Sequence, residues 1–124
     1  MAYLESKLVT TLTGAAAIAA LVGTRVFPIF IPQDEDFPAI TYERTSGEKE
    51  YTTEGYEGLE RATITISAWA ADYGTVKNLG QLIHAALLAD ANFQTFMLND
   101  QDGYNDESSV FRYTAVYRIT HREF

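Results

Sequence analysis

No cysteine occurs in the chain, which excludes disulfides, thiolate metal ligands and cysteine nucleophiles and fits a protein made in a reducing cytosol. Histidine is almost as scarce. His84 and His121 are the only two, too far apart in sequence for the short spacing of a metal or acid–base pair. Basic charge is in deficit, with 9 Lys and Arg against 17 Asp and Glu and a net charge of −8. That balance disfavours the counterion release on which nucleic-acid binding depends. Long apolar runs are missing too: the longest, Leu12 to Val22, contains Thr13 and Gly14 and falls well short of the roughly 20 residues that cross a bilayer. Lys7 imitates the basic start of a signal peptide, but Glu5 spoils it and patterned sequence follows, so neither secretion nor a membrane partner is expected. Gly74 and Gly80 belong to no phosphate-binding pattern, and there is no G-x-S-x-G elbow, so no cofactor is expected.

What is present describes an ordinary globular chain. It has 124 residues, 47% of them hydrophobic, 21% charged and 13% aromatic, enough for one core and one domain over residues 1–124. Leu4, Leu8 and Leu12 recur at helical spacing, Thr13-Gly14 interrupts, and Ala15 to Val22 reads as a second helical piece closed by Gly23. Arg25 to Pro32 is β-rich but carries Pro28 and Pro32, which suits a sheet edge. Ala39 to Thr45 reads as a strand, and Glu60 to Ala70 as the central one, with Ala62, Ile64, Ile66 and Ala68 on one face. Between them, Ser46 to Gly58 shows no sustained period and reads as a protruding loop or β-arm.

Asp72 suits the N-cap of a helix with Val76, Leu79, Ile83, Ala86 and Leu87 on its inner stripe, ending near Ala89. A short strand from Phe93 to Leu98, a polar turn from Asn99 to Glu107 and a long strand from Val110 to Thr120 complete the chain. The fold class expected is α+β: a mostly antiparallel sheet of four or five strands packed with an N-terminal helix and one central helix.

Three acidic groups could carry chemistry. Asn99 to Glu107 is rich in oxygen ligands, but calcium spacing fails: with Asp100 first, Tyr104 falls on a ligand position and Asn105 where the turn needs glycine. Asp34, Glu35 and Asp36 could form paired carboxylates for a hydrolase, as could Asp100 to Asp106, yet three adjacent acids more often make a hydrated corner. The acidic stretch Glu48 to Tyr56 carries Tyr51 and Tyr56, amphipathic side chains of the kind enriched at protein interfaces. No catalytic residue and no metal ligand is expected.

The order of these pieces resembles the tail-completion, or tail-terminator, proteins of long-tailed bacteriophages, prophages and phage-like gene-transfer particles. The likeness spans nearly the whole chain. It rests on Ala20-Leu21-Val22-Gly23-Thr24-Arg25-Val26-Phe27-Pro28 after a helix, on Ile31-Pro32-Gln33, and on Pro38-Ala39-Ile40-Thr41-Tyr42-Glu43-Arg44 before the Ser46-Gly47 loop. Gly58 to Ala70 follows, then a helix opened by Asp72-Tyr73, and the closing strand Phe111 to Arg118. The resemblance implies a non-enzymatic virion protein of the tail or neck, assembled in the bacterial cytoplasm. Such a protein forms a hexameric ring on the last turn of the tail tube, ends tube polymerisation and meets the head–tail connector protein. A head-side neck adaptor is the alternative. Partners implied are further copies of itself, the major tail tube protein and the connector.

A ring needs heterologous contacts made from edges and loops. The candidates are Phe27, Pro28, Phe30 and Ile31 on the proline-marked edge, and Glu48, Glu50, Tyr51, Glu54 and Tyr56 on the arm. Asp34, Glu35 and Asp36 are the candidate acidic lumen, which would repel the backbone of passing DNA.

Overall fold

A computed structural model of the chain describes residues 4–33, 36–52, 55–90, 93–106 and 109–122; for 48–52, 55–59 and 122 only the backbone is described. In chain order the elements are α1 (Leu4–Gly14), α2 (Ala16–Val22), β1 (Val26–Pro28), β2 (Ala39–Thr52), β3 (Gly55–Ala70), α3 (Tyr73–Ala89), β4 (Gln94–Asn105) and β5 (Val110–Arg122).

Leu4, Leu8 and Leu12 are buried on one stripe of α1. The hydroxyls of Thr10, Thr11 and Thr13 donate to the carbonyls of Ser6, Lys7 and Val9, one turn back, a pattern that loosens a helix. At Gly14 the chain breaks, and α2 leaves at 88° to α1. Ile18 and Val22 then point into the same core. No single helix among the described residues is long and apolar enough to cross a membrane. Gly23, at φ 59, closes α2 by donating its N–H to Ala19.

The strands form one sheet in the order β1-β2-β3-β5-β4, with β1 parallel to β2 and every other pair antiparallel. This is the expected α+β architecture, in which β3 is central. Its register puts Ala62, Ile64, Ile66, Ala68 and Ala70 opposite Ile119, Tyr117, Ala115, Tyr113 and Phe111 of β5. Except for the partly buried Phe111, these residues form the core with Val76, Leu79, Ile83 and Leu87 of α3 and the leucines of α1. Asp72 caps α3 by accepting from the Thr75 N–H at 3.0 Å.

The stretch that reads as a loop or β-arm is strand where it is described, and so is most of the stretch that reads as a polar turn. β2 and β3 pair out to Thr52↔Gly55, with irregularities between Arg44 and Ser46 and between Lys49 and Tyr51. The pairing of β3 with β5 runs to Leu59, and farther out, among the described residues, β2 and β3 pair only with each other. Likewise Asn99 to Asn105 is the second half of β4, displaced by an irregularity between Met97 and Asn99. A bulge inserts a residue and reverses the inside–outside alternation, which hides a strand from a period-two reading.

Candidate functional site

The acidic stretch of β4 is extended, and its two carboxylates, Asp100 and Asp102, have protein partners. Asp100 accepts from the Tyr113 hydroxyl at 2.7 Å. Asp102 accepts from the Tyr73 hydroxyl at 2.8 Å and from Lys77 Nζ at 3.2 Å. Those bonds from Tyr73 and Lys77 hold Asp102 below the usual carboxylate range. In return the bond to Asp102 raises both Tyr73 and Lys77. Burial first, then the bond to Asp100, pushes the Tyr113 phenol far up. The array therefore ties β4 to α3. Among the described residues no group of three or more His, Asp or Glu side chains could hold a metal ion.

A second charged group lies at the root of the β2–β3 hairpin. Glu60, 3% exposed, accepts from Arg44 Nη2 at 2.9 Å and contacts His121 Nε2 at 3.2 Å. Arg44 also lies 3.8 Å from Glu5 of α1, so the group joins three strands and a helix. A buried carboxylate is tolerated only when paired and hydrogen-bonded in this way, so its role is to fix where the hairpin leaves the body.

The margins of the sheet are different in character. Immediately after β1, the Phe30 N–H donates to the Pro28 carbonyl at 2.7 Å across Ile29, whose φ is 68. This three-residue turn with positive φ is rare and strained, the more so for a β-branched residue. Ile29 is tied to the body by its own N–H, which donates to Tyr42 at 2.8 Å. The turn leaves Ile29 67% and Phe30 68% exposed. At the opposite margin, β4 exposes Phe96 and Leu98. Beside β4, a groove of about 410 Å³ runs along α3, lined among others by Gly80, Ala85, Leu88, Met97 and Tyr113. Beyond it, at the tip of β4, Arg112 lies over the Trp69 ring at 5.7 Å in a cleft shared with Tyr104 and Asp106.

Of the edge residues singled out from sequence, Pro28 and Phe30 are exposed, and Phe27 and Ile31 are half-buried. Asp36 is exposed. Glu48, Glu50, Tyr51 and Tyr56 stand on the paired hairpin strands, with side chains outside the description, and Asp34, Glu35 and Glu54 lie outside the described residues. Sequence reasoning missed the margin at β4. The run Phe96-Met97-Leu98 places apolar residues at both parities, a signal that neither face of that strand is simply wet.

These features define a small α+β protein with helices on one face of an open sheet and exposed apolar side chains at its margins. The family model described as Tail completion protein gp17 matches residues 6–122, and the chain belongs to that family. It is accordingly a structural protein of a phage-type tail or neck. One solved structure, a chain in the virion of a native gene transfer agent (GTA) particle, has the same fold. It superposes with a TM-score of 0.74 over 93% of this chain and 91% of that one, at 19% identity. A crystal structure from Akkermansia muciniphila reaches a TM-score of only 0.39 at 5% identity, over 70% of this chain and 43% of that one, and carries no argument. No curated protein sequence matches the chain.

Proposed function

We propose that this protein caps the tail tube as a ring of identical subunits, six by the resemblance, ending tube polymerisation and offering a surface to the head–tail connector. The observation that carries the reading is that both margins of one open sheet expose apolar side chains, Ile29 and Phe30 at one end and Phe96 and Leu98 at the other. Opposite, dissimilar margins suit a heterologous contact, and such a contact closes into a ring when its rotation allows. Family membership supports the tail as the setting. A non-catalytic role agrees with Asp100 and Asp102 being engaged by tyrosine and lysine partners.

The paired hairpin beyond Leu59, with Glu48, Glu50, Tyr51, Glu54 and Tyr56, is the proposed second contact, toward the tube or the connector. Asp34, Glu35 and Asp36 are proposed to face the lumen and repel passing DNA; an assembled ring with these carboxylates only on its outer rim would end that part. Electron micrographs of particles made without this protein test the whole. Overlong tubes are expected, and tails of normal length lacking heads would overturn the capping role in favour of a head-side joiner.

A further inference from the structure

We infer that the Ile29–Phe30 turn of one copy seats in the α3–β4 groove of the next, and that this is the contact that closes the ring. The inference rests on the ring reading above and names the surfaces it uses. Three observations carry it.

The first is presentation. A γ-turn with positive φ at isoleucine persists only when the surrounding structure over-determines it, and such strain gathers where a segment has a task. Here it is held by the Ile29 bond to Tyr42 and the Phe30 bond to Pro28, and its effect is to hold out two large apolar side chains with about a third of their surface covered.

The second is the receptor. The groove is lined by the apolar Ala85, Leu88 and Met97 together with Tyr113, with Lys77, Gln81, His84 and Asp100 also in its wall, and Leu88 is 57% exposed although it belongs to the helix that covers the sheet. β1 and β4 are the two ends of a five-stranded sheet, so knob and groove sit on opposite margins, roughly 19 Å apart at about 4.8 Å per strand. No copy can fill its own groove, whereas a neighbour placed side by side can.

The third is area. A buried aromatic contributes roughly 150 to 250 Å², so Phe30 and Ile29 with their receptor surface hide on the order of 500 Å², far below the roughly 1,200 Å² of a stable interface. A contact of that size does not sustain a free dimer. It suits subunits already aligned by a shared template, and each subunit in a closed ring makes it twice.

The lack of cysteine allows a clean test. Phe30→Cys and Leu88→Cys change exposed positions, so both variants should fold. Each is oxidised alone, as an equimolar mixture, and combined in one chain, with and without tail-tube protein. Neither single variant should cross-link alone, the mixture should give a heterodimer and nothing larger, and the double variant should give a ladder ending at the ring. Homodimers of either single variant as the main product would overturn the contact in favour of a two-fold one. Rings or caps of normal size without any cross-link would overturn the contact and leave the capping role standing. An unsubstituted chain that does not self-associate with tube protein present would overturn both.

Discussion

Replacing Gly80 by alanine should destabilise the protein, against the rule for helix interiors. Gly80 lies within the long helix α3, where alanine is ordinarily better by about 1 kcal/mol. A Cβ there would meet Tyr113 Cδ2 at 2.4 Å and Cε2 at 2.5 Å, so helix and ring must separate by about 1 Å to reach ordinary contact. The ring is poorly placed to yield. Its hydroxyl is bonded to Asp100, and Lys77 Nζ sits 4.8 Å from its centroid. Overpacking a tight core costs about 1 to 3 kcal/mol, and pulling a hydroxyl off a carboxylate adds to it, so the steric term exceeds the propensity gain by about 2 kcal/mol. For a chain of this size that is a fall in Tm of roughly 6 to 10 °C. Gly14→Ala is the control: nothing lies within 4 Å of its Cβ, so it should gain roughly 0.4 to 1 kcal/mol through the unfolded chain. Thermal unfolding by circular dichroism reads both. Combining Gly80→Ala with Tyr113→Val should restore part of the loss, because the two residues touch. An unchanged or raised Tm for Gly80→Ala would refute the packing described between α3 and β5.

Glu60→Ala should cost about 2 to 3 kcal/mol in urea unfolding, because it takes from buried His121 the partner of its Nε2 and leaves Arg44 only the more distant Glu5. The low end applies because the Arg44 side chain is 37% exposed, and Glu60→Gln should cost less by keeping neutral hydrogen bonds. Alkaline pH should unfold the protein through its buried phenols. Burial, then the negative charge of Asp100, pushes Tyr117 up to about 12. The folded state keeps that proton while the unfolded chain, with an ordinary phenol near 10, releases it, so stability is intact below about pH 10 and falls as pH rises towards 12. Tyr113 and Lys77, both raised, act in the same direction. Urea midpoints across an alkaline series should fall, and Tyr117→Phe should make the fall shallower; a midpoint independent of pH would contradict the burial assigned to these rings.

How much could be read in advance depended on where the period of the sequence stayed unbroken. The stripe Leu4, Leu8, Leu12, the alternation Ala62 to Ala68 and the Asp72 cap all follow from local geometry, and each corresponds to the element found. The outer hairpin could be read only as a loop or a β-arm, and the second half of β4 not at all, for one physical reason. Each lies past an irregularity that flips the alternation, and the second half of β4 has no buried face to impose one. The tertiary partners of Asp100, Asp102 and Glu60 were also illegible, because Tyr113, Tyr73, Lys77, Arg44 and His121 reach them only once the strands are in register.

That division bears on function. Where the sequence is regular, the residues build a core that would serve many proteins equally well. Where it is irregular, at the γ-turn after β1, the bulged hairpin and the bulged edge strand β4, the chain departs from ideal geometry at the margins of its sheet. Edge strands ordinarily guard against association with charge, proline or brevity, and β1 does so by having three residues and ending in Pro28. β4 is guarded only in its second half, by its irregularity and by Asp100 and Asp102, while its first half exposes Phe96 and Leu98. The ring proposed above would use such an edge, since a subunit joined head to tail needs one margin open and the other shaped to meet it.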